Sequence, residues 1–330
     1  MFQVKSQGNT ITSNNKVILF LKENLGIIIA LFALCLLLAI LPQTSSSFLS
    51  TKNMFNILRQ ISTNMLIACA MTMVIILGGI DLSVGSIIAL SGVIAAGCVS
   101  RYHLPIIIAV LAGLCIGLVI GICNGLVICK TTIPAFIVTL ATMNIARGLA
   151  KVYTGGSPVR VVTKEWQFIG GGYIGSVPVP VIIMVCVIII TALLMNKTKL
   201  GRHIYAVGGN AQAARFSGIK VSKVKFIVHV YTGLMAGLAG VILASRMYSG
   251  QPTAGEGAEM DAIAAVVVGG TSMAGGSGRI GGTIIGALII GVLNNGLNLM
   301  NVNSFWQDVV KGIVILLAVF IDYIRNKEQA

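Results

Sequence analysis

The chain has 330 residues, of which 56% are hydrophobic and only 10% charged, and its 23 Lys plus Arg against 9 Asp plus Glu give a formal net charge of +14. Soluble domains carry about 25% charged residues, so a water-facing surface of this size is excluded, and so are a disordered chain and a disulfide-rich secreted domain. What remains is a polytopic helical membrane protein, with room for about ten helices at roughly 20 residues per crossing.

Residues Met1 to Asn24 are polar, with Lys5, Lys16 and Lys22. No small-residue cleavage site follows, so Leu25 to Leu41 reads as a first span and not as a removed signal peptide. The second span runs from about Asn56 to Leu77 and breaks at Gly78-Gly79-Ile80-Asp81-Leu82-Ser83. A third covers about Val84 to Val99 and a fourth Pro105 to Ile128. Pro134 suits the first turn of a fifth helix, which reaches about Tyr153.

A Gly-rich polar stretch, Thr154 to Ser176, separates this half from a sixth span at Val179 to Met195. The most basic segment follows, with Lys197, Lys199, Arg202, Arg215, Lys220, Lys223 and Lys225. The seventh span is Phe226 to about Ala244. The eighth, about Met260 to Met273, is short and Gly-interrupted, and either spans or is re-entrant. Gly282 to Met300 and Phe305 to Tyr323 complete the set, before Arg325 and Lys327.

Ten spans put both termini on one side. With the N-terminus inside, 14 basic residues fall inside and 8 outside, with Lys311 within the last span. That agrees with the positive-inside bias and accounts for the basic charge without nucleic acid. The seven cysteines lie in or beside apolar runs with no Cys-x-x-Cys, as buried hydrophobes do.

Ile120-Gly121-Ile122-Cys123-Asn124-Gly125-Leu126 in span four resembles Ile290-Gly291-Val292-Leu293-Asn294-Asn295-Gly296-Leu297 in span nine. Asp81 after span two and Asp261 after span seven also correspond. Five spans per half is an odd number, so the halves would sit inverted, a transporter architecture. The expected fold is therefore an all-α polytopic membrane protein of two inverted five-helix repeats, about 25–176 and 177–324. A cytoplasmic loop at 197–225 and short cytoplasmic ends at 1–24 and 325–330 complete the organisation.

Gly276-Ser277-Gly278-Arg279-Ile280-Gly281 fits Gly-x-Gly-x-x-Gly, but no strand precedes it and the Lys of a phosphate loop is absent. It reads as a tight turn between close-packed helices. The three histidines have no i, i+4 partner for zinc and the acids are scattered, so neither a metal site nor a catalytic constellation is expected.

Ionisable residues within spans are functional candidates by default. Asp81, Arg147, Asp308 and Lys311 qualify, against the alternative of interfacial side chains; Asp308 and Lys311 have the spacing of a helical pair. Asn64, Asn124, Asn144, Asn294 and Asn295 either line a path for a hydroxyl-rich solute or bond between helices. Asn210 is a good N-cap and Gly218 a good stop, so Asn210 to Ile219 reads as a helix of about two turns, or else as a plain connector. Such a helix is too short to be stable alone in water.

These segments resemble the membrane permeases of bacterial ATP-binding cassette importers for monosaccharides. The resemblance rests on Gly78-Gly79-Ile80-Asp81-Leu82-Ser83-Val84-Gly85, on Gly208-Gly209-Asn210 with Ala214-Arg215-Phe216-Ser217-Gly218-Ile219, and on Asp261-Ala262-Ile263-Ala264-Ala265 followed by Gly269-Gly270-Thr271-Ser272. It covers the chain from first span to last, and the ending around Asn294-Asn295-Gly296-Leu297 with Phe305-Trp306-Gln307 is most similar to ribose permeases.

It implies a non-enzymatic transport subunit in the bacterial inner membrane, paired with a second permease copy. ATP and magnesium would sit on a separate cytoplasmic ATPase docked at Asn210 to Ile219, and an external sugar-binding protein would deliver the monosaccharide. Arg160, Lys164 and Arg246, basic residues on the outside, are the candidates for docking that protein. The competing class is an ion-coupled secondary transporter, which would work without ATP; a membrane scaffold or enzyme would carry no solute.

Overall fold

The computed structural model describes residues 24–327; the cytoplasmic segment expected before Asn24 and residues 328–330 lie outside the described residues. Each of the ten expected apolar segments is helical. The first half comprises α1 (Leu25–Ile40), α2 (Ser45–Phe48), α3 (Thr51–Ile76), α4 (Val84–Ser100), α5 (Ile106–Lys130) and α6 (Ala135–Thr154). The Gly-rich connection holds β1 (Val159–Arg160), α7 (Lys164–Gly171) and a small hairpin of β2 (Tyr173–Ile174) and β3 (Val177–Pro178). The second half comprises α8 (Val179–Lys197), α9 (Lys199–Gly209), α10 (Ala211–Phe216), α11 (Val221–Arg246), β4 (Ser249–Gly250), α12 (Ala258–Val268), α13 (Ile280–Leu299) and α14 (Ser304–Lys327). Antiparallel pairing of β1 with β4 ties the two halves together.

Among the described residues, seven helices are long and apolar enough to cross a membrane: α3, α5, α6, α8, α11, α13 and α14. Helices α1 and α4 are apolar but only 16 and 17 residues long. Helix α12 has 11 residues, about 16 Å at 1.5 Å per residue, roughly half the hydrocarbon thickness. The expected eighth span to Met273 therefore stops at Val268, where Gly269 and Gly270 end the helix. With the extended descent from β4, however, the segment passes from the β1–β4 end of the bundle to the end of α3, where the Gly276 N–H meets the Ile76 carbonyl, so of the two alternatives it fits a crossing made half by extended chain and half by helix.

Helix α3 is buried all round from Met65 to Ile76 and forms the centre, with α11 beside it. The outer helices keep apolar residues on the surface, such as Ile107 on α5 and Leu316 on α14. The α5–α11 contact is made by glycine. Gly113, Gly117, Gly121 and Gly125 recur every fourth residue, and a Cβ on Gly117 would lie 2.8 Å from the Gly237 Cα and still closer to the Gly233 carbonyl. With no hydrophobic driving force between helices in lipid, such backbone approach supplies the packing.

The chain between β4 and α12 runs back down alongside α4. A Cβ on Gly250 would lie 2.7 Å from the Val93 Cα, and one on Gly255 2.7 Å from the Gly85 carbonyl oxygen. Gly255 and Gly257 also have positive φ, 71° and 76°, which side-chain-bearing residues rarely adopt. This descent lets α12 start deep in the bundle.

Candidate translocation pathway and coupling surface

Two polar clusters sit at opposite ends of the bundle. In the first, the Asp81 carboxylate accepts from the Ser83 N–H at 2.9 Å and its hydroxyl at 2.6 Å. Asn124 Nδ2 donates to Ser83 Oγ at 3.0 Å, and Thr142 Oγ1 donates to Asn124 Oδ1 at 2.6 Å. Asp81, Ser83 and Asn124 are buried. The cluster thus joins the α3–α4 turn, α5 and α6. Gly125 lies against Phe226 near the start of α11, which fixes this end of the bundle as the one that carries α9 and α10.

In the second cluster, Asn294 Nδ2 on α13 donates to Asp261 Oδ2 on α12 at 3.5 Å. Lys311 on α14 pairs with Asp261 at 3.4 Å and with Asp308 at 3.7 Å. The expected Asp308–Lys311 pair therefore forms, but Lys311 also reaches a second helix. Asp261 enters here as a site residue that the sequence offered only as a repeat marker and as part of the family motif.

The other pathway candidates are dispersed. Asn64 is midway along α3, and its Oδ1 is buried without a hydrogen-bond partner among the described residues, as is Asn294 Oδ1. Asn295 instead exchanges amide hydrogen bonds with Asn53 on α3, the interhelical use that the sequence left open. Asn144 is exposed on α6 and, among the described residues, bonds its own helix at Leu140. Arg147 donates from Nη1 to the carbonyl oxygens of Pro252, at 2.8 Å, and Ala254, at 2.7 Å, and so pins the descending segment before α12.

The loop after α8 is better built than the sequence suggested. Thr198 caps α9 by accepting from the Gly201 N–H at 3.2 Å, and Ile204 and Val207 bury the helix against the bundle. Helix α9 was missed, although Leu200, Ile204 and Val207 have helical spacing. Tyr205 donates its hydroxyl to the Gly278 carbonyl at 2.8 Å, and the Gly276 N–H donates to the Ile76 carbonyl at 2.8 Å. The α12–α13 loop, α9 and the end of α3 are thus bonded together. Burial pushes the Tyr205 phenol above its ordinary pKa.

Helix α10 runs over six residues, in line with the roughly two turns expected. Asn210 caps it as anticipated, with Oδ1 accepting from the Ala213 N–H at 2.9 Å. Gly218 has φ +82° and ends the turn. Ala214 is buried and Ile219 half-buried, whereas Arg215, Ser217 and Gly218 are exposed. Phe216 is 90% exposed. Arg160 and Lys164 are exposed at the opposite end, near α7, while Arg246 is half-buried and donates to the Arg59 carbonyl at 3.0 Å. The described residues contain no cluster of three or more His, Cys, Asp or Glu suited to a metal ion.

Residues 53–319 match the model of the family described as branched-chain amino acid transport system / permease component, and the chain belongs to that family of transport permeases. It is similar to the ribose import permease protein RbsC of Bacillus subtilis (strain 168), with 52% identity over 302 residues, 91% of this chain and 92% of the relative. RbsC of Haemophilus influenzae is 47% identical over 322 residues, 96% and 98% of the two chains. The xylose transport system permease protein XylH of the same organism is 35% identical over 368 residues, 93% and 98%. No solved structure matches the chain significantly.

Proposed function

We propose that this chain is the inner-membrane permease subunit of an ATP-binding cassette importer for ribose. The observation that carries this is near full-length likeness to ribose import permeases at about half identity, against 35% for a xylose permease. Two copies form the pathway, and ATP with magnesium is handled by a separate ATPase chain. An external sugar-binding protein delivers ribose to the face that carries Arg160 and Lys164, with Arg246 behind them.

The exposed α10 tip supports the ATPase reading. A nine-tenths exposed phenylalanine on a capped helix with Arg215 beside it suits an anchor inside a partner's groove. The α9–α10 face is then cytoplasmic, as are both termini. The inverted repeat is supported by the two polar clusters, which join the same three elements of each half at opposite ends of the bundle. Asn64 and Asn294, each with a buried amide oxygen unpaired among the described residues, are pathway residues whose oxygens a sugar hydroxyl reaches only when the helices around them part.

The test is uptake of labelled ribose by vesicles that contain the permease, its ATPase and its binding protein. Uptake should require ATP and should exceed that of xylose. Uptake without ATP, driven by an ion gradient, would make the chain a secondary transporter. Cysteine labelling should report Thr44 and Gly171 outside and Thr198 and Glu328 inside; the opposite result at Thr198 would sink the orientation.

A further inference from the structure

Helices α9 and α10 share one residue. Asn210 ends α9, its N–H donating to the Ala206 carbonyl at 3.1 Å, and starts α10, its Oδ1 accepting from the Ala213 N–H at 2.9 Å. No further residue lies between the two helices to absorb a displacement. On the other side, Ser217 to Lys220 separate α10 from α11, and Gly218 sits in the left-handed region at φ +82°. A push on the exposed tip of α10 therefore reaches α9 with less slack than it reaches α11.

Helix α9 is fastened to the α12–α13 loop. The Tyr205 hydroxyl donates to the Gly278 carbonyl at 2.8 Å. One turn further on, helix and loop meet backbone to backbone: a Cβ on Gly208 would stand 2.8 Å from the Gly276 nitrogen, and one on Gly276 2.8 Å from the Gly209 Cα. The loop is braced internally, with the Ser272 N–H donating to the Ser277 carbonyl and the Gly275 N–H to the Ser272 carbonyl, both at 3.1 Å. Beyond it, α12 meets α13 without intervening side chains, at Gly269 against Gly282 and at Ala265 against Gly286. Loop, α12 and the first half of α13 thus form one stiff body, and the Tyr205 hydroxyl ties it to α9.

The same body carries Asp261 and Asn294, which bond each other. Lys311 on α14 stands between Asp261, at 3.4 Å, and Asp308, at 3.7 Å. When α12 moves off α14, Lys311 keeps Asp308 on its own helix and Asp261 keeps Asn294. The seam opens without stranding a charge, which is the costly way to part an ion pair. Coupling between distant sites needs a rigid route and an element with two arrangements, and this seam supplies the second.

We infer that Tyr205 is the positioning residue that passes ATPase-driven movement of α10, through the Gly278 carbonyl, to α12 and its Asp261–Lys311 seam. The inference deepens the proposed function and rests on its reading of α10 as the ATPase contact.

The test uses the full-length permease reconstituted with its ATPase and binding protein, with the seven natural cysteines replaced by serine. Met260, 57% exposed on α12 beside Asp261, becomes the reporter as Met260→Cys. Its labelling rate by a water-soluble thiol reagent is read with and without ATP. With Tyr205 intact, ATP should change that rate about fivefold or more. Tyr205→Phe keeps the ring and deletes the hydroxyl. ATPase co-purification should then stay as in wild type, while the ATP effect on labelling and the ribose taken up per ATP hydrolysed both fall to less than about half. Tyr231→Phe deletes a hydroxyl that lies 2.6 Å from Thr191 Oγ1, between α8 and α11, and should leave both readings unchanged.

A full ATP effect in Tyr205→Phe would overturn the inference, as would its absence from the chain with Tyr205 intact or an equal loss in Tyr231→Phe. Loss of ATPase co-purification in Tyr205→Phe would overturn it too, because the hydroxyl would then hold α10 for docking and not relay its movement. If Phe216→Ala binds the ATPase like wild type, the reading of α10 fails and the relay with it. If docking depends on Phe216 but Tyr205→Phe still responds fully to ATP, only the relay fails.

Discussion

Asn53 on α3 and Asn295 on α13 exchange two amide hydrogen bonds, at 3.0 and 2.9 Å, across 242 positions of sequence. Both side chains are buried, and Asn53 Nδ2 also donates to the Phe48 carbonyl at 3.0 Å. The pair fixes the register of the central helix against α13, so Asn295 serves the architecture while its neighbour Asn294 faces Asp261.

Replacing Asn53 with Leu leaves the Asn295 amide unpaired inside the bundle, and replacing Asn295 leaves Asn53 only its bond to the Phe48 carbonyl. Each single change should cost about 1–2 kcal/mol. The double variant should cost less than the sum, with a coupling of about 0.6–1.7 kcal/mol as found for hydrogen bonds between membrane helices. A double-mutant cycle measured by detergent unfolding checks this; strict additivity would deny the pair its role.

The α5–α11 contact predicts a steep size limit. Gly117→Val and Gly233→Val each place a side chain against backbone of the facing helix, which has no flexible side chain to yield. Loss should exceed the usual 1–3 kcal/mol of overpacking and show as little folded protein in gel filtration. Gly148→Ala on α6 meets nothing within 4 Å and should behave as wild type.

Phe216→Ala should weaken ATPase docking by about 2 kcal/mol or more, roughly thirtyfold. Membrane insertion should be unaffected, because the side chain is 90% exposed in the chain alone. Gly218→Val forces a β-branched residue to φ +82° and should also weaken docking. Co-purification with the ATPase measures both; two variants that bind like wild type would reduce the loop to a connector.

Arg147→Met removes both hydrogen bonds that hold Pro252 and Ala254. Hydrogen exchange over 251–257 should rise at least tenfold, the equivalent of about 1.4 kcal/mol, and transport should fall. Arg147→Lys, a point charge with rotatable donors, should restore only part of the protection. Unchanged exchange in the Met variant would mean that the Gly250 and Gly255 packing alone holds the segment.

The membrane class, the helical segments and the capped turn of α10 were legible because each depends on local chemistry. An apolar run of about 20 residues has one stable form in lipid, since every backbone group must be bonded within its own segment. Asn210 as a cap and Gly218 as a stop follow from properties of single residues. Helix α9 was equally local, and the spacing of Leu200, Ile204 and Val207 was there to find it. The half-length of α12 was only partly legible: Gly269 and Gly270 marked an interruption, but how far the preceding segment descends depends on packing against α4.

The asparagines show where local reading ends. By sequence alone, Asn64, Asn124, Asn144, Asn294 and Asn295 are five equivalent polar residues in apolar helices. Asn295 finds an amide partner on α3, Asn124 joins Ser83 and Thr142, Asn144 turns outward, and Asn64 keeps a lone buried oxygen. The sequence by itself determined that the chain inserts as helices and where most of them begin, because hydrophobic transfer and backbone hydrogen bonding act within a segment. Only the tertiary structure decided which polar groups are satisfied and which are left open, because their partners lie on helices brought together by glycine contacts tens to hundreds of residues apart.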